Sequence, residues 1–401
     1  MNVISNKNEK KIERYVFGLI LILTNNLCFY TSDSVILYIL LSSVGMIIIW
    51  FFYLTEKHCR ISIGKPVIWL TFVFSMFTVY GIFFLQKGIY NWDKMLFTYA
   101  QALTFFICFK VIVSVENWWK YLFKAFSVSL IITFIYLIVK EGSLILLDTS
   151  RIGYSLSGDV NVVADCMGIL IILIFYYYLQ EKSRFAVILT VIGLSFMLLT
   201  GSKRVAFFVI IMLVMAWPYA KKKLNVLLMV GIVIIAGLYA VFESRYFYNL
   251  IGYRFVDMYM QLTGHGSTAY YTSTNARMGM ILEGFRVFLN KPLFGGGMGY
   301  YSSQSTTWGY YNYSHCNYVE MLCTFGLFGT IVYYFPFIRN IITLWKNRNV
   351  VEGTTVVSSM LVLMLMIDWV AVSFLEICIY YLPITLSFAL IERNRDEFVI
   401  S

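Results

Sequence analysis

Three segments of the chain combine charged, imidazole and amide side chains with helix starts, a combination suited to binding an anion. In LLTGSKRVAFF, Lys203 and Arg204 stand side by side at the start of an apolar run. Free N–H groups and the helix dipole at such a start favour an anion, and a bound phosphate would offset the two adjacent positive charges. Alternatively, both residues are basic side chains that extend from a membrane edge into water.

The second segment begins at Arg277. From Met278 onward the apolar residues recur at helical spacing, which predicts an amphipathic helix that carries Arg286 between its apolar positions. The following NKPLFGGGMGYY places Pro292 and the glycines of 295–297 where the helix ends, so that the backbone can approach another group closely. The segment lacks the Gly-Lys-Ser/Thr ending of a phosphate-binding Walker loop. A plain turn is the alternative interpretation.

The third segment, SHCNYVEMLCTFGLFG, opens another apolar run. His315 stands at its boundary, Asn317 follows two residues later, and Glu320 lies one turn deeper. An imidazole with polar neighbours at a helix mouth is suited to proton transfer, whereas a single histidine elsewhere is often structural. Glu320 is alternatively a hydrogen-bonded packing residue. Gly326 and Gly329 are spaced for close contact between helices.

Composition identifies the elements that must position these side chains. Of 401 residues, 60% are hydrophobic and 13% are charged, against about 45–50% and about 25% in soluble domains. These values exclude an ordinary soluble enzyme, a disordered chain and a fibre, and they argue against an alternating β-barrel. The formal charge of +10 is interpreted as basic cytoplasmic loops rather than nucleic-acid binding. The fold class expected is an all-α integral membrane protein.

The apolar runs predict a bundle of about twelve transmembrane helices, or eleven if the last two form one helix. They lie at 15–30, 34–54, 66–86, 95–114, 121–139, 160–179, 185–200, 203–220, 224–242, 316–338, 354–370 and 372–391. With the N-terminus in the cytoplasm, every loop on that side carries at least two basic residues, so both termini are expected to be cytoplasmic.

The predicted helices divide the chain into three parts. Residues 1–242 contain helices 1–9, residues 243–314 form one long external loop with the amphipathic helix, and residues 315–401 contain helices 10–12 and a short cytoplasmic tail. A structureless loop of that length would be unusual, so we expect it to be folded and functional. It also holds His265 and Trp308.

Several kinds of site are not expected. The external segments have no Asp-x-Asp pair for a divalent cation, and the three histidines lack zinc-ligand spacing. The seven cysteines form no Cys-x-x-Cys pair. We therefore expect neither a metal nor another cofactor. Asp165 and Glu376 lie within predicted helices and keep a transporter open as an alternative.

At the three segments the sequence resembles the O-antigen polymerase and ligase family of bacterial polysaccharide assembly. LLTGSKR is similar to the family's Thr-Gly-Ser-Arg helix start, and NARMGMILEGFRVFLNKPLFGGGMGYY to its Arg-led helix closed by Pro-x-x-Gly-x-Gly. SHCNYVEMLCTFGLFG is similar to its His-Asn stretch, and RIGYSLSGDVNVVADCMG to its Asn-bearing sixth-helix start. The chain departs from the family at Lys203, where Arg is usual, and at Cys316, where Asn is usual.

The resemblance implies a metal-independent membrane glycosyltransferase that joins oligosaccharide repeat units carried on undecaprenyl diphosphate into O-antigen or capsule. It implies catalytic roles for Arg204, Arg277 and His315, because cations stabilise a departing diphosphate and an imidazole accepts a proton from the incoming sugar hydroxyl. The substrate-binding residues expected are Asn161, Lys203, Arg286, Asn317 and Glu320.

The resemblance also implies partners and a location. The partners are undecaprenyl-diphosphate-linked oligosaccharide, the lipid bilayer and, by family analogy, a chain-length regulator and a flippase of the same pathway. The location is the bacterial cytoplasmic (inner) membrane, with the site on its outer side. Two alternatives remain open, a ligase that transfers a finished glycan to another acceptor and a lipid-linked oligosaccharide flippase or transporter.

Overall fold

The computed structural model describes residues 2–29, 35–55, 64–85, 92–145, 151–157, 159–220, 239, 242–263, 273–306, 313–371 and 378–395. Within these ranges every regular element is helical, which confirms the all-α class for this part of the chain. Most of the predicted helix over 224–242 lies outside the described residues, as do His265, Trp308 and Glu376.

The helices before the long loop are α1 (Asn2–Cys28), α2 (Val35–Thr55), α3 (Lys65–Phe83), α4 (Trp92–Ile112), α5 (Trp118–Ile145), α6 (Tyr154–Ser157), α7 (Val160–Glu181), α8 (Arg184–Leu199) and α9 (Val205–Ala220). The loop contains α10 (Arg245–Phe247), a π-helical turn (Tyr248–Gly252), α11 (Tyr253–Leu262), α12 (Ser273–Asn290) and α13 (Tyr300–Gln304). The chain then forms α14 (Asn317–Lys346), α15 (Thr354–Ile367), a 3₁₀ turn (Cys378–Tyr381) and α16 (Leu382–Arg393).

Six of the described helices, α2, α3, α4, α5, α7 and α14, are long and apolar enough to cross a membrane. Helices α8 and α9 have 16 residues each and α15 has 14. At about 1.5 Å per residue these three are shorter than a hydrocarbon core of about 30 Å. The predicted count of about twelve spans is therefore not confirmed, although all three short helices are apolar.

Burial distinguishes the centre of the bundle from its rim. The most apolar stretch of α7 is 83% buried, whereas that of α2 is only 28% buried. Helix α7 packs against α5, α8 and α9, so its apolar side chains face protein on all sides. The exposed side of α2 carries large apolar residues such as Ile36, Leu40 and Ile47, as expected for a surface covered by lipid.

One end of the bundle is held by ion pairs between residues of different helices. Lys110 pairs with Glu392 at 3.2 Å, and Lys120 pairs with Glu181 at 3.0 Å. These lysines lie in regions that the sequence places on the cytoplasmic side. Because Glu181 is the last residue of α7, this end lies opposite the start of α7.

Helix α14 is broken at Gly326, which has φ +66° and ψ −167°. The loop after α12, residues 291–299, inserts at this break and is called the glycine loop below. Its Gly296 N–H donates to the Cys323 carbonyl at 2.8 Å, and the Leu327 N–H donates to the Pro292 carbonyl at 2.8 Å. Backbone groups freed by the break are thus paired inside the protein, as irregular backbone among spanning helices requires.

The break gives the glycines a specific role. A Cβ at Gly295 would lie 2.3 Å from the Thr324 carbonyl oxygen, and a Cβ at Gly326 would lie 2.4 Å from the Leu293 backbone. The close approach expected of the 295–297 run is therefore to α14. Gly329 packs near Met76 of α3, in agreement with the predicted helix contact, but Gly326 ends a helical segment instead of joining two helices.

Candidate functional site

The turn between α8 and α9 carries the Lys-Arg pair. Arg204 is 7% exposed and forms an ion pair with Asp165 of α7. Its other terminal nitrogen donates to the Val370 carbonyl at 2.8 Å. A buried guanidinium needs this many partners to offset the loss of water. Arg204 is therefore fixed between α7 and the segment after α15.

Asp165 receives a second hydrogen bond to the same oxygen, from the Tyr380 hydroxyl at 2.8 Å. Its other oxygen, Oδ1, has no hydrogen-bond partner among the described residues. The sequence left Asp165 open as part of an ion path. In the structure it is the counter-ion of Arg204.

Arg277, in the second turn of α12, has a different environment. It is half-buried and forms no hydrogen bond or ion pair within the described part of the chain. The charged groups that act on it are Arg204, Arg254 and Asp159. A guanidinium that is partly desolvated and surrounded mainly by other cations favours an anionic ligand.

His315, in the segment that leads into α14, is close enough to Arg277 for the guanidinium to act on its charge. Its φ of +56° is in the left-handed region, which is uncommon outside glycine. The ring packs against that of Tyr313 at an angle of 51°, with 4.4 Å between centroids. Glu320 holds the preceding residue in place, because its carboxylate accepts the Ser314 N–H at 2.8 Å. Glu320 is 1% exposed, so its contacts lie within the protein.

Asn317 also points into the bundle. Its backbone N–H donates to the Asp368 carbonyl at 2.7 Å, and its side-chain amide donates to the Tyr334 hydroxyl at 2.7 Å and the Asp368 carboxylate at 3.2 Å. Asn317 thereby joins the start of α14 to the end of α15. The side chain is fully buried.

The start of α7 completes this end of the bundle. Asp159 caps the helix by accepting the Asn161 N–H at 2.8 Å. The Asn161 side-chain oxygen accepts from Arg151 at 3.2 Å, and Arg151 also donates to the Thr200 carbonyl at 2.6 Å. Asn161 therefore positions Arg151 beside the turn that carries Lys203.

Positive charge is crowded here, and the pKa values of the basic groups respond to it. Burial, followed by a neighbouring cation, lowers the pKa of Arg151, Lys203, Arg277 and His315 below their ordinary values. For His315 the pKa falls to about 4, from burial first and then from Arg277 and Arg204. The imidazole is neutral at neutral pH and can accept a proton. Added negative charge would relieve the repulsion among these groups.

The structure brings Lys203, Arg204, Arg277 and His315 within electrostatic reach of one another. Asn161 contacts Arg151 of the same region, and Asn317 and Glu320 are buried just after His315 in the chain. Arg286 does not join them. It lies about two and a half turns beyond Arg277 on α12, which places it on the opposite side of the helix, and it is exposed.

Sequence reasoning missed Arg254 of α11. Its guanidinium donates to the Gly201 carbonyl at 3.3 Å and acts electrostatically on Arg151, Lys203 and Arg277. A signal was present, because Arg254 and Asp257 recur at helical spacing in an otherwise apolar segment. Arg151, Lys203, Arg204, Arg254 and Arg277 are called the cation cluster below.

Within the described residues, no group of three or more His, Cys, Asp or Glu side chains is arranged to hold a metal ion. The carboxylates near the cation cluster have other roles here. Asp165 pairs with Arg204 and Asp159 caps α7.

Comparison with known proteins supports one family. Residues 186–334, from α8 to the middle of α14, match the model of the O-Antigen ligase family. The match includes Lys203, Arg204, Arg277 and His315. No significantly similar sequence is found among curated proteins. The match confirms the resemblance to the O-antigen polymerase and ligase family.

Proposed function

We propose that the protein is a glycosyltransferase that polymerises oligosaccharide repeat units carried on undecaprenyl diphosphate, at the outer face of the bacterial cytoplasmic membrane. The observation that carries the proposal is the position of Arg277, a half-buried guanidinium without a hydrogen-bond partner among the described residues, beside the neutral imidazole of His315. The guanidinium can bind a diphosphate, and the imidazole can accept the proton of a sugar hydroxyl.

The reaction assigns a distinct role to each group. The bond between the donor sugar and its diphosphate breaks, and the leaving diphosphate gains charge that Arg277 and Lys203 stabilise. A hydroxyl of the acceptor sugar forms the new glycosidic bond and loses its proton to His315. Arg204 contributes positive charge from a fixed position behind them. Asn161, Asn317 and Glu320 support this arrangement, and no step requires a metal.

A ligase that transfers a finished glycan to another acceptor uses the same donor chemistry. The description of the matched family, O-Antigen ligase, favours it as the second candidate. The two differ in the acceptor, because a polymerase extends the glycan on the carrier lipid and a ligase removes it from that lipid. A chain-length regulator and a flippase are the partners expected for either function.

Deletion of the gene, followed by extraction of carrier-linked glycans, separates the candidates. A polymerase leaves single repeat units in the deletion strain, and wild-type protein restores a ladder of longer glycans. Long glycans retained on the carrier lipid would instead identify a ligase. Repeat units confined to the cytoplasmic leaflet would identify a flippase.

Arg277→Ala tests the site in the same strain. Removal of one group that stabilises developing negative charge typically costs about 10²–10³-fold in rate, so single units should persist with the variant present in the membrane. Arg184→Ala is the matched control, because Arg184 is exposed at the start of α8 at the opposite end of the bundle. Equal ladders from the two variants would contradict the proposal.

A further inference from the structure

One side of α12 is an exposed apolar stripe. Met278, Leu282, Phe285 and Leu289 recur at helical spacing and are 41–69% exposed. These four residues are called the α12 stripe. Arg286 is exposed on the same side of the helix. Water-facing helices of folded proteins seldom carry so continuous an apolar surface, so the stripe needs a partner.

The contacts of α12 show how deep it lies. It runs beside α14 in the same direction, with the Cys323 thiol donating to the Gly284 carbonyl at 3.2 Å. Further along, the Phe328 N–H donates to the Leu293 carbonyl at 3.1 Å. Because α14 is long and apolar enough to span a membrane, the C-terminal half of α12 descends along a spanning helix. The chain then returns to Ser314, just before α14.

The stripe continues onto surfaces of the spanning helices. Leu293 and Phe294 of the glycine loop are 63% and 60% exposed. The Phe294 ring lies 5.9 Å from that of Phe328, and the exposed side of α14 continues to Ile331. The Tyr80 hydroxyl of α3, another candidate span, donates to the Phe294 carbonyl at 2.8 Å. The apolar surface is therefore shared with two helices that can cross the bilayer.

We propose that residues 273–299 form a re-entrant element whose stripe contacts lipid acyl chains, and that Arg286 binds the phosphate of anionic lipid headgroups. Continuity with the exposed sides of α14 and α3 identifies the occupant as lipid. A long cationic side chain within an apolar stripe reaches the headgroup layer while its methylenes stay in the acyl region. Arg286 is thereby assigned to the bilayer and not to the cation cluster.

A photoreactive benzophenone side chain at position 289 tests the stripe in the full-length protein. The protein is placed in nanodiscs of equal parts phosphatidylglycerol and phosphatidylcholine, irradiated and weighed by mass spectrometry. We expect a lipid adduct at position 289, as at Ile331 of α14, and none at Thr263, which is exposed at the end of α11. Adducts to a second protein chain, or no adduct at position 289, would overturn the proposal.

The Arg286→Gln variant tests headgroup binding in the same nanodiscs. A basic residue near an anionic surface enriches anionic lipid by about fivefold. Adducts at position 289 should therefore favour phosphatidylglycerol in the wild type and approach equal proportions in the variant. Arg184→Gln, at the other end of the bundle, should leave the preference unchanged. If wild type and Arg286→Gln gave the same ratio of phosphatidylglycerol to phosphatidylcholine adducts, the role of Arg286 would be refuted. The adducts are measured without glycan transfer, so the outcome is independent of the proposed enzymatic activity.

Discussion

Arg204 and Arg277 lie within one cation cluster but in opposite environments. Arg204 is deeply buried and paired with Asp165, so the protein itself offsets part of its charge. Arg277 is half-buried and surrounded mainly by other cations. The electrostatic attraction for a diphosphate is therefore concentrated at Arg277 and Lys203, with Arg204 as a fixed support.

This difference predicts that Arg204→Ala and Arg277→Ala fail for different reasons. Arg204→Ala leaves Asp165 buried without its counter-ion, which should lower the free energy of unfolding by about 3–5 kcal/mol. Arg277→Ala removes a repelled cation and should leave stability unchanged or slightly higher. Thermal unfolding of the purified variants in detergent measures both effects. A stable Arg204→Ala protein would show that Asp165 is protonated or has another partner.

His315 predicts a specific dependence on pH. With a pKa of about 4 in the free protein, the imidazole is a competent base well below its ordinary pKa of 6.5. The acidic limb of kcat/KM should therefore lie near pH 4. A bound diphosphate offsets the positive charges that lower this pKa. The acidic limb of the pH profile of kcat should therefore lie at higher pH than that of kcat/KM. Rates in proteoliposomes, with lipid-linked units extracted from the deletion strain, measure both limbs.

The sign of the same shift applies to stability. At His315 the folded protein binds fewer protons than the unfolded chain between pH 4 and 6.5, so the contribution of this residue to stability falls as the pH drops through this window. For the activity, an acidic limb of kcat/KM near pH 6.5 would contradict a His315 pKa that burial and neighbouring cations lower.

At the scale of elements, α12 and α14 act as one unit. The glycine loop pairs with backbone groups on both sides of the break at Gly326, and Gly284 packs against Val319. Arg277 lies in the second turn of one of these helices, and His315 lies two residues before the start of the other. Their separation is thus fixed by the contacts between the two helices, some distance from the reacting groups.

Gly326→Ala should separate these helices. A Cβ there meets backbone, which cannot move aside as a flexible side chain can, and the positive φ adds strain. We expect a loss of about 1–3 kcal/mol in stability from the strain alone. Gly142→Ala is the matched control, because its Cβ would meet only Ile138 at 3.7 Å and alanine favours a helix. Melting temperatures of the two purified variants measure the difference, and equal values would show that the break is not required.

For the whole molecule, the ion pairs and the cation cluster lie at opposite ends of α7. The end with Lys120 and Glu181 carries the basic regions that the positive-inside rule assigns to the cytoplasm. This rule predicts that the cation cluster lies on the outer side, where the proposed function expects the acceptor glycan.

This orientation can be measured directly. A reporter fused after Ser401 should be protected from protease in intact spheroplasts and cleaved after lysis. A protease site inserted within 264–272 should be cleaved in intact spheroplasts. The reverse pattern would place the cation cluster on the cytoplasmic side and contradict a transferase that acts on exported units.

The sequence by itself determined the helical membrane class, the starts of α7 and α14, and the three segments that carry Lys203, Arg277 and His315. Hydropathy and helix-start chemistry act over a few neighbouring residues and can be recognised locally. Only the tertiary structure decided which cation is paired, because Arg204 and Asp165 come from different helices. It likewise placed Arg277 and Arg286 in different environments on opposite sides of α12. Periodicity defines the sides of a helix, but it does not show which side packs against the rest of the protein.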